Sequence, residues 1–553
     1  LAQLTKRSLT QLRLIASPTA LAVAAAGLFT GLYLFTAWPR LLYPYDLDFI
    51  ENGMLMQAWQ HAQGLPVFVP PNADFAPNVY MPLYTWLGGL LLTLTGPSYI
   101  ALRLLSFTAT LTTAGLISWI THRESGRAWL ALACAGLYLG GVRITGFWYE
   151  LARVDALYVA LTLAGWTAGV YSGGTRRGAA ASAALLALAF FTKQTAVLFA
   201  GALCAALLAR HGGRRAGLWA GLFAALTALP YWLFDRLTGG WFTFHTFALA
   251  TANPVESGRV LRYFGAELLG VMAVLSLLMC AAALWTWRGH GTRRLAAAQP
   301  WLLGAAAAVV VSGLGRAPVG GNLNNLMPVY AFLCLAPALL ARGWLGAPAA
   351  APRWATGALA FAILAQFALG AYNPLRYIPT PEMRAAGDRL IARLRAVDGE
   401  VLVLMHPYYA VLAGKSPSAQ IIHFWYFYKD RGLPLPADFV ERIETQHYAV
   451  IVSDESLFET EPAFRSLIDA HYQPAERLSE ADSPPTTTGL TARPQLILTP
   501  RLRPALALER RAGGLRAGGL RAARSPARLR ASPLRRASAR LSSPASSSSS
   551  KSP

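Results

Sequence analysis

The stretch "TALAVAAAGLFTGLYLFTAWPRLLYPYDLDFIENG", residues 19–53, sets an unbroken apolar run almost directly against three carboxylates, Asp46, Asp48 and Glu51. The run from Thr19 to Trp38 is long enough to cross a bilayer as a helix. Lys6, Arg7 and Arg13 precede it and mark that end as cytoplasmic, because short cytoplasmic segments carry the Lys and Arg. The three acids then lie on the outer side. No small-residue cleavage site follows and the chain soon turns apolar again, so the run reads as an anchor rather than a removed leader.

Working outward, composition excludes a soluble enzyme: the 553 residues are 54% hydrophobic and only 14% charged. Cys134, Cys204, Cys280 and Cys334 all sit in apolar runs without paired or metal-ligand spacing, so they read as small core residues. A net charge of +22 invites a nucleic-acid reading, but residues 501–553 alone hold 13 Lys and Arg against the single acid Glu509. That segment contains Arg, Ala, Gly, Ser and Pro with no aromatic residue, which marks a disordered basic tail and leaves no nucleic-acid surface to explain.

The later apolar runs return repeatedly to basic loops, which sets the turns between them on the opposite face. They are Tyr99 to Ile120, Ala128 to Thr145, Ala156 to Tyr171, Ala179 to Phe191, Ala196 to Leu208, Gly217 to Phe234, Phe264 to Trp287, Trp301 to Leu314, Met327 to Leu340 and Trp354 to Ala371. With the first run they make about eleven spans, an α-helical polytopic membrane protein over residues 19–378 behind a cytoplasmic segment 1–18. The outer loop 39–98 includes Pro82 to Leu94, too short to span and expected as an interfacial helix.

Between 379 and 500 the composition changes. "PEMRAAGDRLIARLRAV" has helical apolar spacing, and "EVLVLM" and "HYAVIVSD" read as short buried strands. A small α/β extracytoplasmic domain is expected there. No phosphate-cradling glycine motif or zinc spacing marks its role.

The inferred topology gathers charge at one face: the first-loop acids with Arg153, Asp155, Lys193, Asp235, Arg236, His245, Arg259, Arg262 and Arg316. Charge at the membrane is costly and is retained for a substrate or a partner. Cations there suit an anionic amphiphile, whose phosphate takes charge-assisted hydrogen bonds from Arg and Lys.

The order "DLDFIENG", "GLPVF", "YMPLYTWLGGLLLTLTGPSYIALRLLS", "ARVDALYVALTLAG" and "AFFTKQTAVLFA" resembles the GT-C superfamily of polyprenyl-phosphate-sugar-dependent glycosyltransferases. It is most similar to the branch with protein O-mannosyltransferases, lipid A aminoarabinose transferases and lipopolysaccharide-core transferases. The resemblance runs from about Thr19 to Leu208. It implies an inverting transfer of one sugar from a lipid monophosphate to an envelope glycan, glycolipid or protein acceptor outside a bacterial inner membrane.

The same resemblance implies a catalytic acid in the first loop. Asp48 and Asp46 match, but "DLDFIENG" departs from the family's adjacent acid pair, so Asp46, Asp48 and Glu51 all stay candidates. Lys193 of "FTKQT" matches an outer-face lysine expected near the donor phosphate, with Arg153 and Arg316 beside it. Asp155, Tyr80 and His245 are expected to bind substrate. Protein cations can carry a monophosphate leaving group, so no metal is required, although the D-x-D spacing also suits Mg²⁺ or Mn²⁺. The competing functions are a transporter or flippase of a lipid-linked sugar, which usually carries internal repeats not found here, and a non-catalytic envelope scaffold.

Overall fold

A computed structural model describes residues 17–501 apart from 252, 291–298, 346–350, 429–430 and 455–461. The basic tail after Arg501 and most of the segment 1–18 lie outside the described residues.

The first helix, Pro18–Leu41, begins where the Ser17 hydroxyl accepts the Ala20 amide at 3.2 Å and Pro18 supplies a pre-set φ. Leu28, Phe35 and Trp38 are exposed on one face, as lipid-facing residues are, while Ala22, Ala26, Phe29 and Tyr33 are buried. The buried face packs on the helix Ala128–Gly140, where a Cβ on Gly136 would stand 2.4 Å from that of Ala26. Small residues let helices approach closely in lipid, where no hydrophobic effect draws them together.

Among the described residues six helices are long and apolar enough to span: Pro18–Leu41, Tyr99–Ser125, Val154–Ser172, Gly213–Leu237, Leu323–Leu345 and Arg353–Arg376. The pair Ser257–Val271 and Ala273–Gly289, bent by 88°, makes a seventh. Of the roughly eleven expected runs, seven thus meet the length of a span among the described residues. The other four runs form helices of 13, 15, 16 and 17 residues, Ala128–Gly140, Arg176–Phe190, Ala196–His211 and Pro300–Arg316. At about 1.5 Å per residue these fall short of a ~30 Å hydrocarbon core. The expected interfacial segment is the helix Leu83–Thr95.

The C-terminal segment holds the expected helix, Pro381–Arg395, and a four-stranded sheet of β1 (Glu400–Val403), β2 (Tyr448–Asp454), β3 (Tyr472–Arg477) and β4 (Pro494–Pro500). Its order is β1-β2-β4-β3, with β1 and β2 parallel and the other pairs antiparallel. The described residues up to Arg501 form one compact unit, with the sheet packed on the first loop. First-loop residues Ala73 and Ala76 share a core with Leu402, Ile451 and Leu498. The Ala73 backbone donates to Asp438 Oδ2 at 2.8 Å and accepts from Ala419 N at 2.9 Å. The first loop is thus clamped between the helices and the sheet, which fixes its three acids.

Candidate active site

The three first-loop acids are all buried, and each has a different fate. Glu51 is fully committed. Its Oε1 accepts from Arg103 Nε at 2.9 Å and Ala152 N at 2.7 Å, and its Oε2 from Arg103 Nη2 at 2.6 Å and Leu47 N at 2.8 Å. Arg103 spends its remaining donors on the carbonyls of Arg40, Tyr43 and Tyr45. Expected as a catalytic candidate, Glu51 has both oxygens doubly engaged and fastens the loop to Arg103 and to the Ala152 amide.

Asp46 joins the loop to the sheet. Its Oδ1 accepts from the Tyr409 hydroxyl at 2.6 Å and its Oδ2 lies 2.7 Å from His406 Nδ1. His406 Nε2 faces Asp454 Oδ2 at 3.4 Å, and that oxygen also accepts from Arg493 N at 2.7 Å. Burial alone raises a carboxyl pKa, but the His406 charge and the bonds from His406 and Tyr409 overcome it and hold Asp46 below its usual range. Burial likewise lowers an imidazole pKa, yet the Asp46 and Asp454 carboxylates push His406 up to about 10.

Asp48 is the acid left available. Its Oδ2 accepts from Arg153 Nη1 at 2.7 Å, while Oδ1 has no partner among the described residues. Burial pushes its carboxyl up to about 7, reinforced by Glu51 and Asp46 and opposed by Arg153. A carboxylate with a free oxygen and a pKa near neutrality is suited to accept a proton. None of the three acids caps the helix Ile50–Ala62, which has Phe49 at its N-cap and no side-chain cap.

Arg153 also donates to Tyr80 Oη at 2.8 Å and lies over the Trp148 ring at 4.9 Å. The expected residues Asp48, Arg153 and Tyr80 therefore form one chain. A second chain starts at Lys193, whose Nζ donates to Asp155 Oδ1 at 2.9 Å and Asn325 Oδ1 at 3.0 Å, with Asn324 Nδ2 donating to Asp155 Oδ2 at 3.0 Å. Asn324 and Asn325 thus hold the ion pair.

Two expected residues are engaged elsewhere. Arg316 Nε meets both Glu267 oxygens, at 3.1 and 3.0 Å, and its Nη1 donates to the Gly321 carbonyl, so its charge is already balanced. His245 Nε2 lies 3.0 Å from the Val69 carbonyl oxygen, and burial pushes its pKa down to about 4, leaving it a neutral group poorly suited to an anion. Residues not singled out from sequence complete the site: Arg40, Tyr409, Asp454 and His406.

Among the described residues no three His, Cys, Asp or Glu side chains are grouped to hold a metal. An ion bridging Asp46 and Asp48 fits poorly, because both Asp46 oxygens are engaged and cationic His406 stands beside them. A half-open cleft of about 940 Å³ lies between the first loop and the sheet, lined by Gln60, Pro70, Asn72, Ser418 and Tyr448, and none of Asp46, Asp48, Arg153 or Lys193 lines it.

The helical architecture is that of the GT-C fold. ArnT from Cupriavidus metallidurans in the apo state superposes with a TM-score of 0.56 at 15% identity, over 86% of this chain and 97% of that one. The same protein bound to undecaprenyl phosphate gives 0.52 at 13% identity, over 86% and 98%. An Archaeoglobus fulgidus oligosaccharyltransferase tethered with an acceptor peptide gives 0.50 at 12% identity, over 86% and 74%. No protein-family model and no curated protein sequence matches the chain.

Proposed function

We propose that the chain is a glycosyltransferase of a bacterial inner membrane that moves a hexosyl or pentosyl group from a polyprenyl-phosphate donor to an envelope glycan, glycolipid or protein. The N-terminus is cytoplasmic, and the first loop and the 379–500 segment face outward. The observation that carries this reading is Asp48, a buried carboxylate with one oxygen on Arg153 and the other unpartnered. The fold supports it, since ArnT with this fold is solved with undecaprenyl phosphate bound.

In the proposed step the acceptor hydroxyl gives its proton to Asp48 Oδ1 while its oxygen bonds to the anomeric carbon. The bond from that carbon to the phosphate oxygen breaks, and the electron pair leaves on the polyprenyl phosphate, inverting the centre. Charge grows on the leaving phosphate, and fixed cations stabilise such charge most effectively away from water. Arg153 retains an unpartnered Nε and Lys193 a third N–H, so each has a donor to offer.

Membranes containing the protein, given labelled polyprenyl-phosphate hexose or pentose and envelope extract, test the reading. Label transferred to acceptor supports it. Label that crosses the bilayer unconsumed replaces it with the transporter reading.

A further inference from the structure

The unpartnered oxygen of Asp48 faces a distant part of the chain. A Cβ added to Gly489, at φ +74°, would stand 3.1 Å from Asp48 Oδ1 and 3.0 Å from the Trp148 ring. Gly489 belongs to the connection between β3 and β4, which leaves the sheet and reaches into the helical part of the molecule. That connection is built, not loose. Thr486 Oγ1 donates to the Leu490 carbonyl at 3.0 Å and accepts from Ala492 N at 2.8 Å, closing it on itself.

It is also fastened to the catalytic loop. The amides of Thr487 and Thr488 both donate to the Leu47 carbonyl, at 3.0 and 2.9 Å. Arg40 at the end of the first helix donates to Thr487 Oγ1 at 3.2 Å and to Thr488 Oγ1 at 2.9 Å. Arg40 is buried and held in turn by Glu150 and by the Phe147 and Tyr377 carbonyls. A charge-assisted pair of this kind fixes position as well as contributing energy.

We propose that Thr487–Gly489 forms the acceptor-side wall of the catalytic site, and that Gly489 is a specificity-determining position: its backbone closes over Asp48 Oδ1 and the Trp148 ring, where a Cβ would crowd both, and so sets how an acceptor hydroxyl reaches that oxygen. This rests on the glycosyltransferase reading and gives the C-terminal segment a role in acceptor selection. Arg40, Thr487 and Thr488 are positioning residues, acting through Gly489.

The test compares Gly489→Ala with Gly414→Ala in membranes containing the full chain. Gly414 has a similar φ of +76° but nothing within 4 Å of an added Cβ, so both variants carry the left-handed backbone strain and only one intrudes on Asp48. Gly489→Ala is expected to lower kcat/KM for the acceptor by about tenfold or more, while Gly414→Ala tracks wild type. Equal acceptor kinetics in the two variants overturn the proposal. If Gly489→Ala does not accumulate, Thr488→Val is expected to raise acceptor KM and Thr488→Ser to restore it, and equal values in that pair also overturn the proposal. A wild-type protein that transfers no sugar removes the functional reading, and the proposal with it, whatever the variants do.

Discussion

His406 Nδ1 lies 2.7 Å from Asp46 Oδ2, joining a residue of the sheet-bearing segment to the first carboxylate of the first loop inside a fully buried contact. Because the imidazole also faces Asp454, it is a cation between two anions, and the loop cannot leave the sheet without stranding a charge. Removing one partner of such a buried set costs about 3–5 kcal/mol.

His406→Ala is therefore expected to lower the thermal unfolding midpoint in nanodiscs. The pH dependence has a definite sign. The folded pKa of His406 is raised to about 10 from 6.5, so its contribution is complete below about 6.5 and fades as pH rises through about 10. Asp46 is shifted down from 3.8, so its contribution is present above that value and lost on acidification. A His406→Ala deficit that stays constant from neutral to alkaline pH would contradict the charged link.

Glu51 and Asp48 should separate stability from chemistry. Glu51→Gln leaves Arg103 buried without its counter-charge, with an expected loss of about 3–5 kcal/mol seen as poor accumulation and early unfolding. A Glu51→Gln protein of wild-type stability would refute its anchoring role.

Much of this was legible in advance, for physical reasons. Apolar runs announce helices, and acids beside a span invite attention, so Asp48, Arg153, Tyr80, Asp155 and Lys193 were named from sequence and lie in two linked chains. Arg40 and Arg103 passed unremarked, although a lone Arg in or at the end of a span needs a buried partner, here Glu150 and Glu51. That was the signal available for Glu51. His406 and Asp454 carried none, because their meeting with Asp46 depends on tertiary packing. Strand β3, "YQPAER", is exposed after its first residue and shows no apolar alternation, which hid it.

Lys193 should act on the donor. Lys193→Met leaves Asp155 with Asn324 alone and removes a cation from the outer end of the spans. A loss of about 10²–10³ in transfer rate is expected if it stabilises the leaving phosphate. Kinetics at saturating donor check this, and a change in acceptor KM alone would assign Lys193 elsewhere.

The rate should also report Asp48 titrating. Burial pushes its carboxyl up to about 7, and a base must be deprotonated, so single-turnover transfer is expected to rise as pH increases through about 7 and then level off. Arg153→Gln removes the charge that favours the carboxylate and should move that limb to higher pH.

The most direct measurement compares wild type with Asp48→Asn at equal abundance, in membranes given labelled polyprenyl-phosphate sugar and envelope acceptor. Transfer by wild type and a fall of about 10²–10⁴-fold in Asp48→Asn, with Asp46→Asn failing mainly in stability, is the predicted result. Undiminished transfer by a folded Asp48→Asn protein would contradict the assignment of Asp48 as the base.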